Sequence, residues 1–225
     1  MDAVFSYAGR TDAPEAQPLP TRIGGFGGVA GMVDYLIAED ITHVVDATHP
    51  FAARISQNAV TACAALQTPL IAFERKPWVA TPQDNWTPVA DTQAAVAALP
   101  DAPARVFLAI GKQTLTDFAA KPQHHYLLRL VDAPQEPLSL SNATVIVARG
   151  PFTETGDTAL LRAHQITHIV AKNAGGKGAQ AKLAAARTLG LPVIMIDRPT
   201  LPARQIARTV AEVIDWLDHS AHLGV

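Results

Sequence analysis

Ile41-Thr42-His43-Val44-Val45-Asp46-Ala47-Thr48-His49-Pro50-Phe51-Ala52 is the stretch that decides the fold. Thr42 to Ala47 reads as a buried strand, Thr48 to Ala52 as a short polar loop, and Ala52 to Gln67 as a helix. In that helix Ile55, Ala59, Cys63 and Leu66 recur at three- and four-residue steps, while Arg54, Gln57, Asn58 and Thr61 face away. The same order returns twice. Thr144 to Ala148 runs into Arg149-Gly150-Pro151-Phe152-Thr153, and Thr167 to Ala171 runs into Lys172-Asn173-Ala174-Gly175-Gly176. Polar loops bearing Gly or Pro at the ends of buried strands line the crevice where open α/β sheets bind ligands. Ile41-Thr42-His43-Val44-Val45 is also echoed as Ile166-Thr167-His168-Ile169-Val170, which suggests two similar α/β lobes.

Strand and helix patterns alternate on either side of these segments. A short strand at Val4 to Tyr7 precedes a three-proline loop, Pro14 to Pro20, and a helix at Val29 to Ala38. A strand at Pro69 to Phe73, a connection from Lys76 to Pro88 and a short helix at Thr92 to Leu99 complete the first half. Pro100-Asp101-Ala102-Pro103 breaks the pattern, which predicts a cofactor lobe over residues 1–101 and a second lobe over 102–225. The second half predicts strands at Val106 to Ile110, Tyr126 to Val131, Val145 to Ala148, Ile169-Val170 and Val193 to Ile196. Its predicted helices are Thr114 to Ala120, Asp157 to His164, Gln180 to Leu189 and Arg204 to Asp218, the last with an apolar stripe of Ile206, Val210, Val213, Ile214 and Leu217. Strands alternating with helices mean βαβ units and parallel sheets.

Composition narrows the function classes. The 225 residues are 48% hydrophobic and 17% charged with a net charge of −2, the balance of a folded protein and not of a disordered one. That charge argues against a general nucleic-acid or membrane-surface binder. No apolar run approaches the ~20 residues of a membrane span, and Met1-Asp2-Ala3 lacks the basic and apolar regions of a signal peptide. A cytoplasmic location is expected. The single cysteine, Cys63, offers neither an internal disulfide nor a thiol pair for a metal; it reads as a small buried apolar residue, and no metal site is expected.

Several short motifs carry chemistry. In Thr21-Arg22-Ile23-Gly24-Gly25-Phe26-Gly27-Gly28-Val29-Ala30-Gly31, the residues Gly25, Gly27 and Ala30 satisfy G-x-G-x-x-A ahead of a helix. Glycine there lets backbone amides approach a phosphate, and the helix N-terminus adds about half a positive charge. A tight turn with close helix packing is the competing reading. Ser6-Tyr7-Ala8-Gly9-Arg10-Thr11 ends the first strand, where an arginine can hold the 2′-phosphate of NADP, a solvated surface charge being the competing reading. His49 stands between a strand and a helix, able to donate a proton or bind a carboxylate; a loop packing residue, with Phe51 filling the core beneath, is the competing reading. Lys172-Asn173, Arg149-Gly150, Lys112 and Arg129 form a scatter of cations and an amide suited to a ligand with several carboxylates.

Taken together, Ala8 to Thr11, Arg22 to Gly28, Asp46 to Ala52 with Ser56 and Asn58, Arg149 to Phe152, Lys172 to Gly176, and Ala185-Ala186-Arg187 to Pro199 resemble the precorrin-6A and cobalt-precorrin-6A reductases of cobalamin biosynthesis. The resemblance covers almost the whole chain. It implies two Rossmann-like α/β lobes with parallel sheets and a cleft between them. It also implies an NADPH-dependent oxidoreductase that passes hydride to one carbon of a methylated tetrapyrrole and a proton to its neighbour. Transient contact with neighbouring enzymes of that pathway is implied as well. The residues assigned to NADPH are Ser6, Gly9, Arg10, Thr11, Arg22, Gly25, Gly27, Gly28, Thr48 and His49. Those assigned to the substrate are Pro50, Phe51, Lys112, Arg129, Arg149, Gly150, Lys172, Asn173 and Gly175; His49 and Lys172 are the catalytic candidates, with the proton donor open among His49, Lys172 and water. Members of the family usually open with a further strand, a Gly-Gly-Thr-type turn carrying a Glu, and a helix. That unit does not precede Val4 here, which predicts an incomplete first lobe and weak NADPH binding. A cofactor-free two-lobed tetrapyrrole enzyme and a non-catalytic binder of small acidic ligands are the competing functions.

Overall fold

The computed structural model describes residues 2–9 and 16–222. The chain divides into two compact units, Met1–Arg75 with Thr200–Val225, and Lys76–Pro199. In the first, β1 (Phe5–Tyr7) pairs in parallel with β2 (Thr21–Ile23), followed by α1 (Gly28–Ala38), β3 (Val44–Asp46), α2 (Ala53–Leu66) and β4 (Leu70–Phe73). The second unit holds β5 (Trp86–Val89), α3 (Thr92–Ala97), β6 (Arg105–Ala109), β7 (His125–Leu130), β8 (Ala143–Val147), α4 (Glu154–Ala163), β9 (His168–Lys172), α5 (Ala181–Leu189) and β10 (Val193–Ile196). The chain then returns to the first unit with β11 (Gln205–Ala207) and α6 (Val210–His222).

All strand pairs are parallel among the described residues: β11-β4-β3 in the first unit, beside the separate β1-β2 pair, and β5-β10-β9-β6-β7-β8 in the second. The sequence explains the layout. Val193-Ile194-Met195-Ile196 is apolar at every position and buried at every position, as a strand covered on both faces must be. Pro88 lacks the N–H that an inner strand needs, and it sits in β5 at the sheet edge. Phe107, Leu127, Ile169 and Met195 from the sheet pack with Leu161 and Leu183 from α4 and α5 as the second unit's core. In the first unit Met32 and Leu36 of α1 meet Ala59, Ala62 and Cys63 of α2. Burial first, and the nearby Asp46 carboxylate second, push the Cys63 thiol up to about 11, so it stays protonated and inert at neutral pH.

The structure alters four expectations. The boundary expected at Pro100 to Pro103 falls inside the second unit, because Trp86–Val89 pairs residue by residue with Val193–Ile196 and draws β5 and α3 into that sheet. The connection Lys76 to Pro88 therefore ends in a strand. The predicted helix Arg204 to Asp218 is a strand and a helix: Gln205–Ala207 pairs with Ile71–Phe73, so Ile206 belongs to β11 and not to the stripe of α6. Lys112–Ala120 winds as a 3₁₀ helix. The internal echo has a local cause. Asp40 and Gln165 take left-handed backbone (φ 48° and 53°), and the next N–H, of Ile41 or Ile166, returns to the carbonyl of Leu36 or Leu161 at 2.9 Å. In both copies the threonine hydroxyl then contacts the following histidine Nδ1, at 3.0 Å for Thr42 and His43 and 2.9 Å for Thr167 and His168. The repeated pentapeptide is the joint that turns a helix into a parallel strand.

One charge in the second core is unusual. Lys182 of α5 is 6% exposed; its Nζ donates to the Ala179 carbonyl at 2.6 Å and lies 5.1 Å from the Trp78 ring centre. Burial, followed by the charge of Arg129, lowers its pKa to about 8, while Asp157 acts in the opposite sense. Because the folded value lies below the ordinary 10.5, the unfolded chain holds more protons between those limits. The site's contribution to stability therefore rises with pH across that window. Lys182→Met removes this dependence. Denaturant titrations should show the variant's stability relative to the parent falling by roughly 3 kcal/mol between pH 7 and pH 10.5. Parallel curves for the two proteins would contradict the assignment.

Candidate functional site

The loop after β3 is tied down from beneath. Asp46, 7% exposed, accepts from the Thr48 amide at 3.1 Å and the Thr48 hydroxyl at 2.7 Å. With its proton committed to Asp46, the Thr48 hydroxyl accepts from Ser56 of α2 at 3.0 Å. Pro50 is buried, and the Phe51 amide donates to His49 Nδ1 at 3.2 Å. An Nδ1 that accepts leaves the proton of the neutral ring on Nε2, so His49 is set as an Nε2–H donor. His49 itself is exposed and lines a cleft of about 370 Å³ with Ala47, Thr48, Pro50, Phe73, Glu74 and Arg75. That volume suits a small ligand. Glu74, at the end of β4, is held by Arg204 and lies 3.9 Å from Arg208. The Arg208 guanidinium also donates to the Glu74 and Arg75 carbonyls at 3.3 and 3.4 Å. The cleft thus sits at the C-terminal ends of two parallel strands, where α/β folds bind ligands.

The glycine loop before α1 is held in a different way. Arg22 donates to the Gly24 and Gly25 carbonyls, each at 2.7 Å, and to Ser6 Oγ at 3.3 Å, with its guanidinium 3.9 Å from the Phe26 ring centre. In a trans peptide the N–H points opposite the C=O, so Arg22 turns the amides of Gly25 and Phe26 away from itself. A Cβ added at Gly24, Gly25, Gly27 or Gly28 would meet nothing within 4 Å, and Gly24, Gly27 and Gly28 have φ of 125°, 78° and 95°. The result is an open backbone cradle at the N-terminus of an eleven-residue helix, which fits a diphosphate. Gly31 is a packing glycine, since a Cβ there would stand 1.9 Å from the Phe26 carbonyl oxygen. The Arg22 guanidinium, a cofactor candidate by sequence, shapes the loop in this structure. Arg10 and Thr11 lie outside the described residues. Gly9, with φ 69°, follows β1.

In the second unit the expected residues again stand at the C-terminal strand ends, but not all present their side chains outward. Arg129 of β7 forms a buried ion pair with Asp157 of α4 and stacks 3.6 Å from the Phe152 ring centre, so it anchors the Arg149–Phe152 loop from behind. Asn173 gives its amide to the backbone of Trp78: the Trp78 N–H donates to Oδ1 at 2.8 Å, and Nδ2 donates to the Trp78 carbonyl at 3.1 Å. Lys172, at the end of β9, is partly buried, and desolvation lowers its pKa below the usual lysine value. Lys112 and Gly150 are exposed, and the exposed Arg149 lies 3.7 Å from Asp132. Gly175 is buried with φ 69°, and a Cβ there would stand 2.0 Å from the Lys76 carbonyl oxygen. Within the first unit the structure groups Thr48, His49 and Pro50; within the second it sets Lys172, Asn173 and Gly175 on one loop. Trp78, Arg198, Lys182, Glu74 and Arg75 carry no motif. Only the Trp- and Pro-bearing character of the Lys76 to Pro88 connection hinted at Trp78.

Comparison with known proteins gives the family. The chain is 69% identical to the precorrin-6A reductase of Rhodobacter capsulatus over 222 residues, which is 98% of this chain and 88% of that protein. It is 42% identical to the precorrin-6A reductase of Rhodococcus erythropolis over 96% of this chain and 88% of that one. The cobalt-precorrin-6A reductase of Priestia megaterium is 33% identical over 83% of this chain and 76% of its own length. A solved structure described as CobK precorrin-6A reductase superposes with a TM-score of 0.92 at 68% identity, covering 96% of this chain and 86% of the other. The profile of the family described as "Precorrin-6x reductase CbiJ/CobK" matches residues 1–218. The chain belongs to that family of reductases.

Proposed function

We propose that this chain reduces one double bond of the tetrapyrrole precorrin-6A in cobalamin biosynthesis, with NADPH as the hydride donor. The observation that carries the reading is the family match over residues 1–218, together with a strand-end cleft lined by His49. Neither a cofactor-free enzyme nor a simple binder has comparable support. The reaction adds a hydride to one carbon and a proton to its neighbour, so C=C becomes CH–CH and NADPH leaves as NADP⁺. Bound NADPH supplies the hydride.

This chain's residues supply binding, orientation and the proton. The amides of the Gly24–Gly28 cradle take the diphosphate, held in shape by Arg22 and Ser6. Gly9, Arg10 and Thr11, which follow β1 in sequence, are assigned the 2′-phosphate end. Thr48, fixed by Asp46 and Ser56, orders the loop that presents His49. His49 gives the Nε2 proton to the carbon next to the one that receives hydride as the imidazolium, its Nδ1 having first taken a proton from solvent in place of the Phe51 amide, so that a neutral ring is left. Phe51 contributes apolar surface for the macrocycle, backed by the buried Pro50. Lys112, Arg149, Lys172 and the backbone of Gly150 and Gly175 meet its carboxylates, with Arg129 and Asn173 supporting them from behind.

Mixing the chain with NADPH and precorrin-6A should consume the nicotinamide absorbance, and no loss on adding the tetrapyrrole would refute the reading. His49→Ala should lower kcat by about 100-fold while changing the KM for NADPH little. An unchanged turnover would transfer the proton donor's role from His49 to Lys172 or water.

A further inference from the structure

The segment that follows β9 is gripped on three sides. Arg198 Nε donates to the Asn173 carbonyl at 2.9 Å, and Arg198 Nη2 donates to the Ala174 carbonyl at 3.1 Å. The Trp78 indole N–H donates to the Gly176 carbonyl at 3.0 Å, while the Trp78 backbone and the Asn173 amide form the reciprocal pair described above. The Gly175 backbone packs so closely against the Lys76 carbonyl that only glycine fits. Lys182 supports the indole face from below. The bonds to Trp78 span more than ninety residues of sequence.

The consequence follows from peptide geometry. Pinning the Ala174 and Gly176 carbonyls to Arg198 and Trp78 aims the opposite-facing amides of Gly175 and Lys177 away from both. Those amides stand on the same strand-end loop as Lys172, itself fixed at the end of the β9·β10 ladder by the Asn173 amide bonded to the Ile196 carbonyl at 2.9 Å. A cation and two directed backbone donors on one loop are the kinds of group that receive a carboxylate.

We infer that Trp78 is a positioning residue for the reduction: with Asn173 it holds the Lys172–Lys177 loop in the shape that receives a carboxylate of the tetrapyrrole. This rests on the proposed reaction and adds to it a residue outside the motifs. In this role Trp78 acts through the loop it holds.

The test uses the full chain and two variants, Trp78→Phe, which keeps the ring and loses the indole N–H, and Asn173→Ala, which breaks the reciprocal pair. Hydrogen exchange at the amides of residues 173–177 should accelerate about tenfold in both, with the amides of β6, β9 and β10 unchanged. Steady-state kinetics should show the KM for precorrin-6A rising about tenfold, with kcat and the KM for NADPH moving less than about threefold. Unchanged exchange overturns the proposal. So does faster loop exchange with an unchanged KM for the tetrapyrrole. If Asn173→Ala fails to fold, Trp78→Phe decides alone. Failure of the proposed reaction looks different: the unmodified chain then turns over no precorrin-6A. Tetrapyrrole binding followed by the macrocycle's own absorbance replaces KM in that case, and equal affinity of parent and Trp78→Phe overturns the loop's role.

Discussion

Parallel strand pairing is the constraint on which the structure depends. A parallel strand cannot be reached by a tight hairpin; the chain must cross back through a helix or long connection before it pairs again. Every strand in a sheet therefore delivers its C-terminal end to the same edge, and the loops there are free to differ while the strands stay apolar. Asp46 and Glu74 end β3 and β4 beside each other in the first unit. Lys172 and the segments after Ala109, Leu130 and Val147 do the same in the second. Polar chemistry concentrates at that edge because the sheet interior, as in β10, has no room for it.

Loops that bind must also be held, and much of the polar chemistry in this chain does the holding. Arg22 pins two glycine carbonyls, Asp46 fixes Thr48, Asp157 retains Arg129 under Phe152, and Trp78 with Arg198 grips the loop after β9. Each is a partly or fully buried donor or acceptor with a partner. Removing one member would leave the other unsatisfied, at a cost of about 1–3 kcal/mol and more for a charge. Such groups preorganise the site by making alternative loop shapes unfavourable. Lys182, bonded to the Ala179 carbonyl, is a cation buried near another cation, which burial presses toward its neutral form.

The alternation of strand and helix, the parallel sheets and the strand-end loops could be read from the sequence because each rests on local pattern. Val193 to Ile196 has one interpretation as a buried strand, and the repeated Ile-Thr-His joint encodes a local turn out of a helix. What escaped reading depends on distant partners. Trp86-Thr87-Pro88-Val89 has no strand pattern of its own; it becomes β5 because Val193–Ile196 offers an edge. Gln205–Ala207 sits beside a helix-like stripe and becomes a strand because β4 is there to pair with it. Those two pairings move the division of the chain from Pro100 to residues 75/76 and 199/200. The same holds at the site. The candidates His49 and Lys172 come from the pattern of their own loops, whereas the commitment of Asn173 to Trp78 and of Arg129 to Asp157 involves partners far away in sequence.

The central claim is that ligands meet this chain at the C-terminal ends of its parallel strands, and the most direct measurement is a crystal structure with NADP⁺ and the tetrapyrrole bound. The account predicts the diphosphate against the backbone of residues 24–28 and macrocycle carboxylates against Lys172 and Gly175. Ligand density at the opposite strand ends, against Asp40 to His43, Ala102 to Ala104 or Gln165 to Thr167, would contradict it.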